Sequence, residues 1–215
     1  MRMASGSADD PPRRLVLRDG RVVQVRTITE ADAPAIQRAF DGLSPESRYS
    51  RFMHHKKHLN PAALARGVLP QAGRDVVLVV TVQQPGGIDI VGAAQYVRAD
   101  PNDASTCEFA VTVAEDWRGC GLARELLTGL LQRAPRDHYV TMVGLVLADN
   151  APMLTLAQQL GFRVDPPAKG ETAVQVRREL APAHGGREDP PAPVPGPDAA
   201  VLKFGGGPTG PPGFT

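Results

Sequence analysis

A turn with two glycines and an arginine, Arg118-Gly-Cys-Gly-Leu-Ala123, joins a predicted strand to the strongest predicted helix of the chain. The first N–H groups of a helix have no intrahelical partner, and the helix dipole favours negative charge at that end. Gly119 and Gly121 allow the backbone to approach a ligand closely, and Arg118 adds a positive charge. The turn is therefore predicted to bind a pyrophosphate.

Two common phosphate-binding motifs do not fit this turn. A dinucleotide fingerprint needs a third glycine at the position of Arg124, and a P-loop needs a Gly-Lys-Ser/Thr sequence that is absent. The remaining pattern, Arg118-x-x-Gly121-x-Ala123, resembles the acyl-CoA loop of the GNAT superfamily of acetyltransferases. Further along, the segment Asn150-Ala-Pro-Met-Leu-Thr-Leu-Ala-Gln-Gln-Leu-Gly-Phe162 resembles the second signature of that superfamily, an Asn after a strand, a short helix and Gly-Phe.

The resemblance implies an acetyltransferase that uses acetyl-CoA as co-substrate and needs no metal. It implies a pyrophosphate site made by Arg118, Gly119, Cys120, Gly121, Leu122 and Ala123. In the superfamily the strand before this turn opens away from its neighbour, and the pantetheine arm pairs with the exposed edge like an added strand. The backbone of Val111, Thr112 and Val113 would make those contacts, and Asn150 would reach the pantetheine amide.

Three segments resemble the protein-lysine acetyltransferase branch of the superfamily, whose members modify proteins such as acyl-CoA synthetases. They are Leu43-Ser-Pro-Glu-Ser-Arg-Tyr-Ser-Arg-Phe-Met53, Glu108-Phe-Ala-Val-Thr-Val113 and Val146-Leu-Ala-Asp-Asn150. The resemblance therefore implies a protein lysine as acceptor, with an acyl-CoA synthetase as one such protein.

Glu108 is the predicted general base. The acceptor ammonium must lose a proton before it can attack a thioester. Glu108 lies near the start of an otherwise apolar strand, where desolvation is expected to raise its pKa, and the glutamate of this strand is the catalytic one in the resembling branch. A glutamate that only faces solvent at a strand end is the alternative. Many GNAT enzymes also use a tyrosine as general acid, but Ala157 occupies that position, so no acid is assigned.

Hydrophobic periodicity and turn residues predict the elements that must position these side chains. The resulting class is α/β (α+β): a single GNAT-like domain with a mixed central sheet flanked by helices. The predicted elements are a hairpin over 14–25 that turns at Asp19-Gly20, a helix over 31–43, helices from Pro45 and Pro61, strands over 76–82, 88–97 and 108–113, a helix over 121–134, a strand over 141–147, a helix over 151–160 and a strand over 172–177.

Composition sets the domain limits and the expected compartment. Residues 1–13 and the Pro/Gly-rich stretch 181–215 are predicted to be disordered, which leaves residues 14–180 as the folded domain. The formal net charge of +1 gives no reason to expect a nucleic-acid or membrane partner. Two cysteines form no disulfide framework, so a reducing compartment, the cytoplasm, is expected.

Three functions remain open at this stage. The first is a protein-lysine acetyltransferase, the second an acetyltransferase of small amines, and the third a non-catalytic acyl-CoA-binding module. Glu108 disfavours the third. His54 and His58 are spaced for a metal, but no carboxylate or cysteine nearby completes a ligand set, so no metal site is predicted. The oligomeric state is not predicted.

Overall fold

A computed structural model describes residues 11–55, 57–60, 64, 67–166 and 170–181 of the chain. Its central element is an eight-stranded sheet with the order β1-β2-β3-β4-β5-β6-β8-β7. All neighbouring strands are antiparallel except β5 and β6, which are parallel. The strands are β1 (Arg13–Val16), β2 (Val22–Thr27), β3 (Val76–Gln84), β4 (Gly87–Asp100), β5 (Asp103–Val113), β6 (Thr141–Leu147), β7 (Arg163–Val164) and β8 (Ala173–Glu179).

Helices cover both faces of this sheet. The described part contains α1 (Ala33–Asp41), α2 (Pro45–Phe52), α3 (Leu122–Arg133) and α4 (Ala151–Gln159), with short 3-10 turns at Glu30–Asp32, Glu115–Trp117 and Ala134–Asp137. Helices α3 and α4 pack into the larger hydrophobic cluster on one face, and α1 packs into a second cluster on the other. The predicted class, a single domain with a mixed sheet flanked by helices, is confirmed.

Helix α3 is held on the sheet by a stripe of leucines. Leu122, Leu126, Leu127 and Leu130 recur at intervals of one helical turn, and each is at most 1% exposed. Burial of each such side chain contributes about 1.5–3 kcal/mol. The stripe therefore fixes the start of the helix, and with it the preceding turn, against β3, β4 and β5.

The opposite face is closed by α1, whose start is fixed by a buried ion pair. The Asp32 carboxylate accepts hydrogen bonds from the Arg26 guanidinium at 2.6 and 2.7 Å and from the Thr29 backbone N–H at 2.7 Å. The bond from Arg26, followed by those from Thr29, holds the pKa of Asp32 below its usual range. Ala35 and Ile36 then pack on the sheet.

The structure differs from the sequence prediction at the ends of several elements. Strand β5 begins at Asp103, five residues before the predicted start, because its polar first half still pairs with β4. The two-residue strand β7 has no recognisable sequence pattern and was not predicted. The helix predicted from Pro61 lies mostly outside the described residues, as do residues 1–10 and 182–215.

Candidate active site

A cleft of about 690 Å3 opens between β5 and β6. The two strands are paired at Thr106–Thr141, Cys107–Met142 and Glu108–Val143, and their pairing ends there, although β5 continues to Val113 and β6 to Leu147. The cleft walls come from the separated ends of both strands, from the turn before α3, and from α2 and α4. Its volume lies within the range of about 300–1,000 Å3 that is typical of ligand sites.

The separated part of β5 presents backbone donors to the cleft. Ala114 donates its N–H to Val91 on the β4 side, and Ser105 accepts from Val140 on the β6 side. Because backbone groups alternate along an antiparallel strand, the N–H groups of Val111 and Val113 point away from β4 and into the cleft. The N–H of Thr112 points to β4, although Thr112 is also among the residues that line the cleft.

The turn before α3 has the geometry of an anion site. Gly119 and Gly121 have φ values of 76° and 98°, in the left-handed region that favours glycine. The backbone N–H of Glu125 donates the first helical hydrogen bond, to the Gly121 carbonyl at 3.1 Å. The N–H groups of the residues before Glu125 therefore have no partner within the helix. The turn residues that line the cleft are Arg118, Gly119, Gly121, Leu122, Ala123 and Arg124.

Arg118 is held in place by a neighbouring helix. Its guanidinium donates to the Ser47 hydroxyl at 2.7 Å, and that hydroxyl donates to the Glu115 carboxylate at 2.6 Å. Hydrogen bonds from Ser47 and Ser44, and the charge of Arg118, lower the pKa of Glu115 to about 2. The cluster therefore carries one fixed negative and one fixed positive charge at neutral pH.

Glu108 lies at the vertex where β5 and β6 separate. Its side chain is half-buried and lies on the face opposite to Phe109, which packs into the main core. Burial lowers the pKa of Arg51 to about 9, and the charge of Glu108 opposes that effect. Arg51 thus remains a cation at neutral pH, close to the Glu108 carboxylate, and it also lines the cleft.

Asn150 stands at the opposite wall of the cleft. Its Oδ1 atom caps α4 by accepting the Met153 N–H at 3.2 Å. The side-chain nitrogen is therefore the atom that can donate to a ligand. Asn150 lines the cleft together with Pro152, Met153 and Leu156 of α4.

Two predicted site residues, Glu108 and Cys120, do not line the cleft. Cys120 is buried in the main core, and its thiol donates to the Trp117 carbonyl at 2.8 Å. The Cys120 side chain therefore points away from the cleft, and only its backbone can take part in the proposed pyrophosphate site.

Neither the general-acid position nor any of the tyrosines lines the cleft. Ala157 is fully buried in the core. Tyr96 donates to Asp137 at 2.5 Å, Tyr139 donates to the Arg74 carbonyl at 2.7 Å, and Tyr49 packs against His55. None of the three tyrosines, all of which lie in the described part of the chain, lines the cleft.

Several residues in or beside the cleft were not predicted from the sequence. Ser47 and Glu115 are 68 positions apart, so no local pattern connects them. Arg18, at the end of the β1–β2 hairpin, and Ser50 of α2 also line the cleft. The Ser-Pro-Glu-Ser start of α2 is a recognisable N-cap, and it was the available signal for Ser47.

The described residues include neither a metal-binding cluster nor a membrane-spanning helix. That part of the chain contains no group of three or more His, Cys, Asp or Glu side chains placed to hold a metal ion. His54 instead makes a 2.7 Å hydrogen bond with the Phe52 carbonyl. No helix there has the length and apolar character that a bilayer crossing requires.

Known proteins share both the sequence and the fold. Residues 23–163 match the family described as Acetyltransferase (GNAT) domain. Acetyltransferase PA5475 of Pseudomonas aeruginosa is 32% identical over 146 residues, which cover 68% of this chain and 77% of that protein.

Among solved structures, the GNAT domain of S. lividans PAT superposes with a TM-score of 0.70 at 24% identity, covering 79% of this chain and 97% of that one. The protein yncA of Salmonella typhimurium, solved with its cofactor acetyl-CoA, superposes with a TM-score of 0.60 at 22% identity, covering 82% and 98%. Both similarities show the fold.

Proposed function

Since the chain belongs to the GNAT acetyltransferase family and is an acyltransferase enzyme, we propose a specific reaction for it. It transfers the acetyl group of acetyl-CoA to the amine of a protein lysine, with Glu108 as general base. The observation that carries this proposal is the cleft itself, which runs from the turn at Arg118 along the separated ends of β5 and β6. The turn can hold a pyrophosphate, and β5 offers exposed backbone donors. Glu108 does not line the cleft, but it lies at the strand vertex, next in sequence to the cleft residue Phe109.

The residues of the cleft fit coenzyme A. Arg118 and the partner-free N–H groups at the start of α3 would hold the pyrophosphate. The exposed N–H groups of Val111 and Val113 would bond to the pantetheine arm or to a thioester carbonyl, and the Asn150 amide would donate from the other wall. When bound, acetyl-CoA supplies a thioester-activated acetyl group. No metal is part of this proposal.

The location of Glu108 supports its proposed role as general base. Its side chain is half-buried at the strand vertex beside the cleft, and as the base it would take a proton from the incoming ammonium at Oε1 or Oε2. Arg51 is cationic and nearby, so it would disfavour a second positive charge and help to keep the acceptor amine neutral. The departing thiolate is a tolerable leaving group, and no side chain is assigned as its acid.

The acceptor side favours a slender alkyl amine. A second pocket, of about 100 Å3, lies under α1 and α2 and shares Arg51 and Thr112 with the cleft. It is mainly apolar, with Ile36, Phe40 and Phe52 among its walls. Sites for drug-sized ligands have volumes of about 300–1,000 Å3, so this pocket suits the alkyl arm of a lysine better than a large antibiotic. The resemblance of residues 43–53 to the protein-lysine branch supports the same acceptor.

A small amino acid is the second candidate acceptor. Arg51 could pair with its carboxylate at the place where the two cavities meet. The two candidates differ in where the acetyl group goes. The full chain should be incubated with acetyl-CoA labelled in the acetyl group and with one acceptor in each reaction. The acceptors are lysate proteins, a lysine peptide blocked at its N-terminus, free amino acids and polyamines. Label on the peptide and on lysate proteins supports the first proposal. Label confined to the small amines would replace it with the second.

A further inference from the structure

A hydrogen-bond chain joins the phosphate-binding turn to the N-terminus of α2. The Oε1 atom of Glu115 accepts from the Ser47 hydroxyl at 2.6 Å and from the Ser44 N–H at 3.1 Å. The Ser47 hydroxyl also accepts from Arg118 at 2.7 Å. Glu115 thus caps a helix from outside, although it lies in the loop that leads to the turn.

Helix α2 contributes the acceptor side of the site. Ser50 and Arg51 line the cleft, and Arg51 and Phe52 line the adjoining apolar pocket. The C-terminal end of α2 is anchored by Phe52, which is 3% exposed and packs against Phe40 at a ring distance of 5.6 Å. The N-terminal end has no comparable apolar anchor, because Pro45 and Glu46 are not buried.

The contacts at the N-terminal end are therefore polar. Ser44 accepts from the Ser47 N–H at 3.1 Å, as an ordinary N-cap does. The bonds to Glu115 are the ones that connect this end of the helix to the coenzyme turn. A carboxylate near a helix N-terminus also interacts favourably with the helix dipole.

We propose that Glu115 is a positioning residue for the acceptor. It fixes α2 against the coenzyme turn, and it thereby sets how far Arg51 and the adjoining apolar pocket lie from the strand vertex at Glu108. The proposal rests on the proposed function, because that function assigns the α2 side of the cleft to the acceptor. Glu115 is not assigned a contact with either substrate, because its carboxylate is already engaged by Ser44 and Ser47 and does not line the cleft.

A purely structural cap would show itself differently. Loss of such a cap would lower the melting temperature and the amount of active enzyme, and it would leave the KM values of the remaining folded enzyme unaltered. A positioning role instead changes the KM for the acceptor while the affinity for acetyl-CoA stays the same. The two roles are therefore separated by a comparison of KM with kcat and with the Kd of acetyl-CoA.

The test uses Glu115→Ala, Glu115→Gln and the matched control Glu125→Ala in the full chain. Glu125 is another carboxylate near the turn, but it pairs with Arg13 at 2.8 Å and does not line the cleft. Loss of the charged hydrogen bonds should raise the KM of a blocked lysine peptide about tenfold in Glu115→Ala. The Kd of acetyl-CoA, measured by calorimetry, should not change. Glu115→Gln should restore the KM, because an amide oxygen can accept the same two bonds.

The proposal is overturned if Glu115→Ala and Glu125→Ala have the same acceptor KM, or if Glu115→Ala weakens acetyl-CoA binding and leaves the acceptor KM unchanged. Should Glu115→Ala fail to fold, Glu115→Asp provides the test, since it keeps the charge but shortens the reach by one methylene. An acceptor KM equal to that of wild type in Glu115→Asp would then contradict the proposal. Failure of the wild-type chain to transfer acetyl to the peptide would contradict the proposed function instead.

Discussion

Glu108 and Val143 form the last residue pair of the parallel β5–β6 ladder, and the strands separate directly beyond them. The next residues on the two strands, Phe109 and Gly144, are packed tightly against each other. The Phe109 ring lies so close to Gly144 that a Cβ there would be 2.5 Å from it. The opening for a ligand and the position of the carboxylate are consequently fixed by the same few residues.

Replacement of Gly144 by Ala should destabilise the protein, because the added methyl group overlaps the Phe109 ring, which is itself packed against Phe162. Overpacking of this kind costs about 1–3 kcal/mol. The control is Gly86→Ala, where an added Cβ would have no heavy atom within 4 Å. Urea denaturation measures the free energy of unfolding of each variant. Equal free energies for Gly144→Ala and Gly86→Ala would show that the vertex is not tightly packed.

Replacement of Gly121 by Ala should weaken acetyl-CoA binding. An added Cβ meets no protein atom within 4 Å, and because Gly121 lines the cleft it would instead obstruct the phosphates. Loss of one charged hydrogen bond lowers affinity about tenfold or more.

Gly73→Ala is the matched control for that variant. Gly73 also has a positive φ, 74°, and also has no heavy atom within 4 Å of a built Cβ, but it does not line the cleft. Both substitutions should cost about 1–2 kcal/mol of stability through backbone strain. Calorimetric titration should show weakened binding in Gly121→Ala alone. A similar Kd in the two variants would remove the turn from the coenzyme site.

Asp32→Asn should lower stability at neutral pH by about 1.5–3 kcal/mol, since it breaks a charged hydrogen-bond pair with Arg26 in which the Asp32 side chain is only 6% exposed. The folded-state pKa of Asp32 is lowered. Its contribution is therefore fully present above the unfolded pKa of about 3.9 and is lost as the pH falls through the folded value.

The difference in stability between wild type and Asp32→Asn should accordingly shrink as urea denaturation is repeated from pH 7 to below pH 4. Asp89→Asn is the control, because its pair with Arg38 is half-exposed and long, at 3.4 Å. That substitution should cost at most about 1 kcal/mol at any pH. A pH-independent difference for Asp32→Asn would mean that the ion pair does not contribute through its charge.

The turn and α3 could be predicted from sequence because their signals are local. The leucine spacing defines the buried face of the helix, and the two glycines mark the backbone that must take positive φ. The orientation of Cys120 was not predictable in the same way, since a motif specifies its backbone position and not the neighbours that receive its side chain.

Tertiary relationships account for the rest. The contact between Arg118 and Ser47 spans 71 positions, and the approach of Glu115 to the same serine spans 68. A hydrophobic repeat in the sequence cannot indicate a contact between residues so far apart along the chain. The strands separate where Phe109 packs on Gly144, a contact between distant segments, so Glu108 could be proposed as the base from sequence but its place at the vertex could not be predicted.

The most direct test of the account is the pH dependence of turnover in Glu108→Gln. Steady-state rates of acetyl transfer to a lysine-bearing acceptor should be measured from about pH 6.5 to about pH 9.5. Base catalysis typically contributes ~10²–10⁴-fold, so we expect kcat of Glu108→Gln to decrease by a factor in that range at neutral pH, with the Kd of acetyl-CoA unchanged. The decrease in kcat should become smaller as the pH rises, because the amine then loses its proton to solvent. Near-normal turnover of Glu108→Gln at every pH would contradict the assignment of Glu108 as the general base.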